Sequence, residues 1–203
     1  TMEASLPQDH GLRVTSVQRV ENHQMWQSFA VKRQTVLTRD DHGVKRVNNK
    51  GDLERAWLFH GTTADTVPKI TQQGFNRAFA GKNAVAYGRG VYYARDASYS
   101  DHYAVADASG NKFMFMCRLV AGDWCKGSNG VLTPKVKPGT ENELFDTTVD
   151  HVRHPSIFVA YHDAQAYPEY LVSFKSVKKG GKKKKQAFAP GPAGSKSKGS
   201  SGG

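Results

Sequence analysis

The stretch from Trp57 to Tyr103, WLFHGTTADTVPKITQQGFNRAFAGKNAVAYGRGVYYARDASYSDHY, most constrains what this chain can fold into. Two short apolar runs bracket it. Trp57-Leu58-Phe59 leads into His60-Gly61-Thr62, and Val91-Tyr92-Tyr93 follows Gly88-Arg89-Gly90. Short runs rich in aromatic and β-branched residues, bounded by glycines, read as strands. Between them a helix is expected from Ala64 to about Gln73, with Val67 and Ile70 facing inward. Thr62 or Thr63 is its expected cap, Pro68 falls in the first turn, and Gly74 stops it. A loop of small residues, Phe75 to Gly90, leads to the second strand. His, Tyr, Ser, Gly and Arg therefore gather where strands end, a setting suited to gripping a flat polar ligand.

The remaining segments predict a sheet-rich domain. Arg13 to Val20 reads as a strand or an irregular approach. Asn22 to Arg33 reads as a helix capped by Asn22, with Met25, Trp26, Phe29 and Val31 on its apolar face. Asp41-His42-Gly43 signals a turn. Asn111 to Cys125 is the clearest strand. Phe113, Phe115 and Cys117 alternate with Met114 and Met116, so both faces are apolar and the strand is central. Phe145 to Asp150, Ile157 to Tyr161 and Tyr170 to Phe174 supply further strands. Asp146 and Asp150 read as solvated strand ends. Many short strands, few short helices and no βαβ rhythm predict an α+β fold with mixed, mainly antiparallel, split β-sheets.

The chain has 203 residues, and its last 28 or so are Lys, Gly, Ser and Pro with almost nothing to bury. One domain of residues 12–176 is expected, between a disordered N-terminus (1–11) and a disordered tail (177–203). The net charge of +11 is concentrated at that end. Nine lysines from Lys175 onward carry it, no acid follows Glu169, and the body is left at +2. Bulk charge on the fold thus gives no argument for nucleic-acid binding. The tail suits a nuclear signal, an RNA or membrane tether, a self-modification site, or no partner at all. No apolar run approaches the ~20 residues of a bilayer span. Two cysteines, Cys117 and Cys125, make no disulfide framework and fit a reducing compartment, the nucleus or cytoplasm. The histidines and cysteines show no metal-ligand spacing, so no metal is expected.

With WLFHGTT, GFNRAFAGKNAVAYGRGVYYARDASYS and IFVAYHDAQAYPEYLVSF in view, the chain resembles the catalytic domain of the poly(ADP-ribose) polymerase family, the diphtheria-toxin-like ADP-ribosyltransferases. The likeness runs over about residues 12–176 and is nearest to the branch that transfers single ADP-ribose units. The short lead before the domain, without a long helical region, fits that branch. The resemblance implies an ADP-ribosyltransferase fold and NAD as co-substrate. The family's His–Tyr–Glu triad falls on His60, Tyr92 and, in place of the glutamate, Ile157. Glu169 lies twelve residues later and is not the triad residue. The loss of the carboxylate implies slow, single transfer to a protein side chain, Glu or Asp, with the acceptor's own carboxylate assisting.

By the same resemblance, His60, Gly61, Thr62, Arg77, Tyr87, Tyr92, Ala94, Ser100 and Tyr103 contact NAD. Gly61 offers backbone to the carboxamide of nicotinamide, and Ser100 adds a hydroxyl. Tyr92 and Tyr103 sandwich the ring, and His60 bonds the adenosine-side ribose. Arg77 lies over the adenosine and pyrophosphate. Read without the resemblance, Tyr92 and Tyr93 alternate, so one of them is core; Ser100 could bond locally, and Arg77 could pair with an acid. Gly88-Arg89-Gly90 has no strand–GxGxxG–helix setting and is no dinucleotide fingerprint. The expected partners are NAD, acceptor proteins including the chain itself, and nucleic acid through the lysine tail, with the chain a monomer. A silent NAD-binding module, transfer to a nucleic-acid terminal phosphate, and hydrolysis of NAD to free ADP-ribose are the competing readings.

Overall fold

The computed structural model describes residues 12–39, 53–79 and 85–176. Eight strands form one mixed sheet: β1 (Leu12–Arg19), β2 (Glu54–Thr62), β3 (Val91–Ala94), β4 (Lys112–Val120), β5 (Trp124–Lys126), β6 (Thr147–Val149), β7 (Ile157–Ala160) and β8 (Ala166–Ser176). Their order is β1-β8-β4-β2-β3-β7-β6-β5. Neighbours run antiparallel except β5 and β6. Three helices, α1 (His23–Leu37), α2 (Val67–Gln73) and α3 (Ala97–Asp101), complete an α+β architecture. No helix among the described residues is long and apolar enough to cross a membrane. The expected turn at Asp41-His42-Gly43 and both terminal segments lie outside the described residues.

The alternation along β4 explains its central place. Phe115, Cys117 and Leu119 enter one apolar cluster with Tyr93, Phe158 and Leu171. Met114 and Met116 enter another on the opposite face, with Phe59, Val172 and Phe174. The strand is shorter than the pattern suggests. It ends at Val120, and Gly122 (φ +56) turns the chain into the separate strand β5. The middle of the sheet is its narrowest joint. β2 and β3 meet at the single pair Phe59↔Ala94. Two four-stranded halves are thus hinged on one rung, which is the split expected from the sequence.

The helices follow their local signals. The side chain of Asn22 accepts from the Met25 N–H at 3.1 Å and caps α1. Its amide also donates to Thr71 O and Gln72 O, each at 3.2 Å, serving orphan carbonyls at the end of α2. α1 runs a turn beyond Arg33, and its inward residues are Phe29 and Val36. Val31 is 67% exposed, so the expected apolar face is corrected there. α2 starts at Val67 rather than Ala64, because Thr63 spends its hydroxyl on Asp65 Oδ1 (2.5 Å) and Thr66 Oγ1 (2.9 Å). Thr62 remains in β2. Gly74, at φ +77, closes α2 with its N–H on Ile70 O.

Two carboxylates read as solvated are buried. Asp146 accepts from both terminal nitrogens of Arg39 (3.1 and 2.6 Å) and from the Asp123 N–H (3.0 Å). Asp150 accepts from the N–H groups of Ser156 (2.9 Å) and Ile157 (3.0 Å) and from the Ser156 hydroxyl. Both sit where backbone donors would otherwise go unpaired, and that outweighs the cost of desolvating a carboxylate.

Candidate active site at the seam of the sheet

The narrow joint places the residues. Phe59, Ala94 and Ile157 stand in register across β2, β3 and β7. Alternation then puts Tyr92, Ile157 and Val159 on the face of Phe59, and His60, Tyr93 and Phe158 on the other. Beyond the single rung the strands part, and a side chain spans the gap. His60 Nδ1 lies 2.9 Å from the carbonyl oxygen of Tyr92. A carbonyl only accepts, so Nδ1 carries the proton. In the neutral ring Nε2 is then a free acceptor. Burial lowers the pKa of His60 and keeps the ring neutral, partly opposed by that same bond. The edge of Phe75 (5.0 Å between centroids) and the tilted ring of Tyr93 (5.7 Å) hold the imidazole in place.

Tyr92 is fixed at its far end. Its hydroxyl donates to Gly88 O and accepts from the Tyr87 N–H, both at 2.9 Å. The donor proton is committed, so what Tyr92 presents is the flat of its ring. Tyr93 is buried in the core, as the alternation requires. Tyr87 is tied in turn by Thr148 Oγ1, which donates to its carbonyl at 2.6 Å. Ile157 is 7% exposed and sits two residues along the register from the partner of Tyr92. Ala94 and Thr62 are buried beside the joint.

α3 closes the site from the face of Phe59. A Cβ on Gly61 would meet the Ser100 carbonyl oxygen at 1.9 Å, so only glycine lets α3 seat against β2. The Ser100 hydroxyl is buried and donates to Phe59 O at 2.9 Å, the local bond left open by the sequence. It latches α3 to the joint. Tyr103 lies with its ring 5.4 Å from that of Tyr99 and donates its hydroxyl to the Tyr99 hydroxyl at 3.1 Å. Burial raises the pKa of Tyr99 strongly. Sequence reasoning missed Tyr99, although its four-residue spacing from Tyr103 was a signal that the two touch.

Arg77 is occupied. Its guanidinium donates to Leu132 O (2.6 Å) and Tyr161 O (3.3 Å) and lies 5.5 Å above the Tyr161 ring. Its N–H donates to Asp163 Oδ1 at 3.0 Å. It pairs with carbonyls rather than with an acid through its side chain, and it joins its own segment to those of Leu132 and Tyr161. Among the described residues no group of three or more His, Cys, Asp or Glu is placed to hold a metal.

The mixed, mostly antiparallel eight-stranded sheet with three short helices among the described residues is consistent with an α+β ADP-ribosyltransferase fold. The family profile for the poly(ADP-ribose) polymerase catalytic domain matches residues 1–176, and the chain belongs to that family. It is 42% identical over 166 residues to protein mono-ADP-ribosyltransferase PARP14 of Homo sapiens, covering 80% of this chain and 9% of that protein. It is 34% identical over 166 residues to protein mono-ADP-ribosyltransferase PARP12 of Mus musculus, covering 82% and 22%. With protein mono-ADP-ribosyltransferase PARP11 of Mus musculus the identity is 31% over 181 residues, covering 80% and 52%. The chain thus spans between about a tenth and half of the length of these relatives.

Proposed function

We propose that this chain is an NAD-dependent mono-ADP-ribosyltransferase that moves one ADP-ribose from NAD to a carboxylate side chain of a protein. The observation that carries the reading is the His60–Tyr92 contact across the seam, with an aliphatic Ile157 in register where a third, acidic group would stand. The relatives named above are protein mono-ADP-ribosyltransferases, which supports transfer of a single unit. NAD supplies the reacting ribose. The bond between ribose and nicotinamide breaks, and its electron pair leaves with nicotinamide, neutralising the pyridinium. The acceptor carboxylate forms the new bond to the same carbon, so the positive charge of NAD and the negative charge of the acceptor cancel in the ester.

The chain's own groups position this exchange. Nε2 of neutral His60 accepts from a ribose hydroxyl. The rings of Tyr92 and Tyr103 flank the nicotinamide, a contact worth about 0.5–1.5 kcal/mol per pair beyond burial. Gly61 offers its backbone to the carboxamide, and the Ser100 oxygen, whose proton goes to Phe59 O, has lone pairs left to accept. Arg77 shapes the adenosine side by holding the 132 loop rather than by gripping phosphate. Without a carboxylate at Ile157 the oxocarbenium-like transition state lacks a preorganised charge, a loss of about 3–4 kcal/mol where such groups are removed. The reaction is correspondingly slow.

Incubation with NAD labelled in the adenosine half tests the reading. Wild type places label on protein in single units, and His60→Ala loses it by at least about tenfold. Ile157→Glu speeds nicotinamide release without building polymer, because the acceptor subsite is unchanged. Nicotinamide release with label only in free ADP-ribose would instead identify a hydrolase. Binding without any release would identify a silent module.

A further inference from the structure

We infer that Trp57, Tyr170 and Arg19 form a stacking platform for single-stranded nucleic acid on the β1 side of the sheet. The platform is separate from the transferase site and its binding does not depend on that reading. Among the described residues Trp57 alone is a non-glycine with positive φ (φ +62). It stands at a bulge. Ala56 and Trp57 of β2 lie between the rungs Arg55↔Leu119 and Leu58↔Cys117, opposite the single residue Arg118. A left-handed residue at a bulge is ordinarily glycine, because a side chain strains that backbone. Core packing does not account for the tryptophan, which is 38% exposed. Its position instead brings the indole against Tyr170, 5.9 Å between centroids with the rings tilted by 35°. Arg19 lies over the same tyrosine, 5.8 Å from the ring centroid, and its Nη1 donates to the Tyr170 hydroxyl at 3.4 Å. Register assembles the set, because Arg19, Tyr170, Met116 and Phe59 form one row across β1, β8, β4 and β2.

Strained backbone persists where the rest of the structure holds it for a purpose. Two aromatic faces beside a guanidinium suit a ligand that is flat and anionic. Any nucleobase has a π face to lay on the indole, and its phosphate is attracted to the arginine. A duplex hides those faces in its own stack, so the strand has to be unpaired. Arg19 meets Glu21 at 3.7 Å with both side chains exposed, a contact that a phosphate displaces at little cost. β1 supplies Arg13 and Arg19 and no acid. At its other end Leu12 pairs with Ser176, and the sequence beyond Ser176 carries the lysines of KKGGKKKK. A strand stacked on the platform and laid along β1 therefore runs toward the most cationic part of the chain. The body of the fold is nearly neutral, so the local set, not bulk charge, selects the ligand. An apolar peptide would leave Arg19 without a partner.

The test uses the full chain as wild type, Trp57→Gly, Trp57→Phe and Arg19→Ala. Fluorescence anisotropy reads the Kd of a labelled oligouridine of about twelve nucleotides, of an abasic strand with the same phosphates, and of the oligouridine paired with oligoadenylate. Glycine fits the left-handed backbone, so Trp57→Gly removes the indole and keeps the bulge, and it should melt within about 3 °C of wild type. It is expected to raise the Kd of oligouridine about tenfold, while Trp57→Phe stays within about threefold of wild type. The abasic strand and the duplex should not respond to Trp57→Gly, because neither offers a base face. Arg19→Ala should weaken oligouridine and abasic strand alike and reduce the salt slope of log Kd by about 0.7. Every variant carries the same lysines beyond residue 176, so binding by that segment cancels in the comparison. No binding of oligouridine by wild type, an unchanged Kd in Trp57→Gly, or an equal loss on the abasic strand would overturn the inference.

Discussion

Gly61→Ala is a sharp probe of the seam. The added Cβ would lie 1.9 Å from the Ser100 carbonyl oxygen, 2.9 Å from its carbon and 3.3 Å from Ala104 N. All three are backbone atoms, so no side chain can rotate to make room. Non-bonded carbon and oxygen approach to about 3.3 Å. Relief therefore needs α3 to retreat by roughly 1.4 Å, carrying Ser100, Tyr99 and Tyr103 with it. Overpacking of this kind costs about 1–3 kcal/mol, which for a domain of this size lowers Tm by about 2–12 °C. A misplacement of about 1 Å at a reacting centre costs on the order of 100-fold in rate. Nicotinamide release should thus fall about 100-fold while the protein stays folded at room temperature, as read by near-UV circular dichroism. Ser100→Ala serves as comparison: it deletes the latch to Phe59 O but adds no bulk, so about 1 kcal/mol of stability is lost and α3 stays in place. Gly61→Ala with nicotinamide release within about threefold of wild type and an unchanged Tm would refute the argument that α3 is seated through this glycine.

Two further outcomes follow from buried ionisable groups. The pKa of His60 is lowered by burial, so transfer should be level through neutral pH and decline only below the usual histidine range, as Nε2 gains a proton and stops accepting. The unfolded chain binds that proton first, so stability also falls as pH drops from about 6.5 toward the folded pKa; a rate already falling at pH 7 would contradict this. Asp146→Ala strips Arg39 of two bonds and the Asp123 N–H of its side-chain acceptor, and urea unfolding should show a loss of about 3 kcal/mol.

Features governed by neighbours in sequence were legible. The Asn22 cap and the Gly74 stop depend on bonds three or four residues away, and β4 shows its double-sided burial in its own alternation. Features governed by distant partners were not. Asp146 becomes structural through Arg39, 107 residues earlier, and the Asp123 N–H, and Asp150 through a turn that folds back on it. Val31 and Val36 are equally apolar, and the position of the sheet decides which is inside. At the site, His60, Tyr92 and Ile157 were expected from the family pattern, and the structure places their strands β2, β3 and β7 side by side. Arg77 was expected over the adenosine and pyrophosphate or paired with an acid, and its bonds to main-chain carbonyls at Leu132 and Tyr161 are ones that no side-chain pattern reveals. Tyr99 was overlooked because its role depends on the ring beside it.

The pairing of β1 with β8 has a consequence for biosynthesis. Arg19 and its partner Tyr170 lie 151 residues apart. At about 5–20 residues per second of translation, β1 waits on the order of ten to thirty seconds on the ribosome before β8 is made. Throughout that interval Val14 and Val17 ride on an unmatched ribbon, open to mispairing with another nascent chain. β8, the last strand among the described residues, is the one that ends the exposure, so the yield of properly assembled protein should be most sensitive to chaperone supply before Ala166–Ser176 has left the exit tunnel.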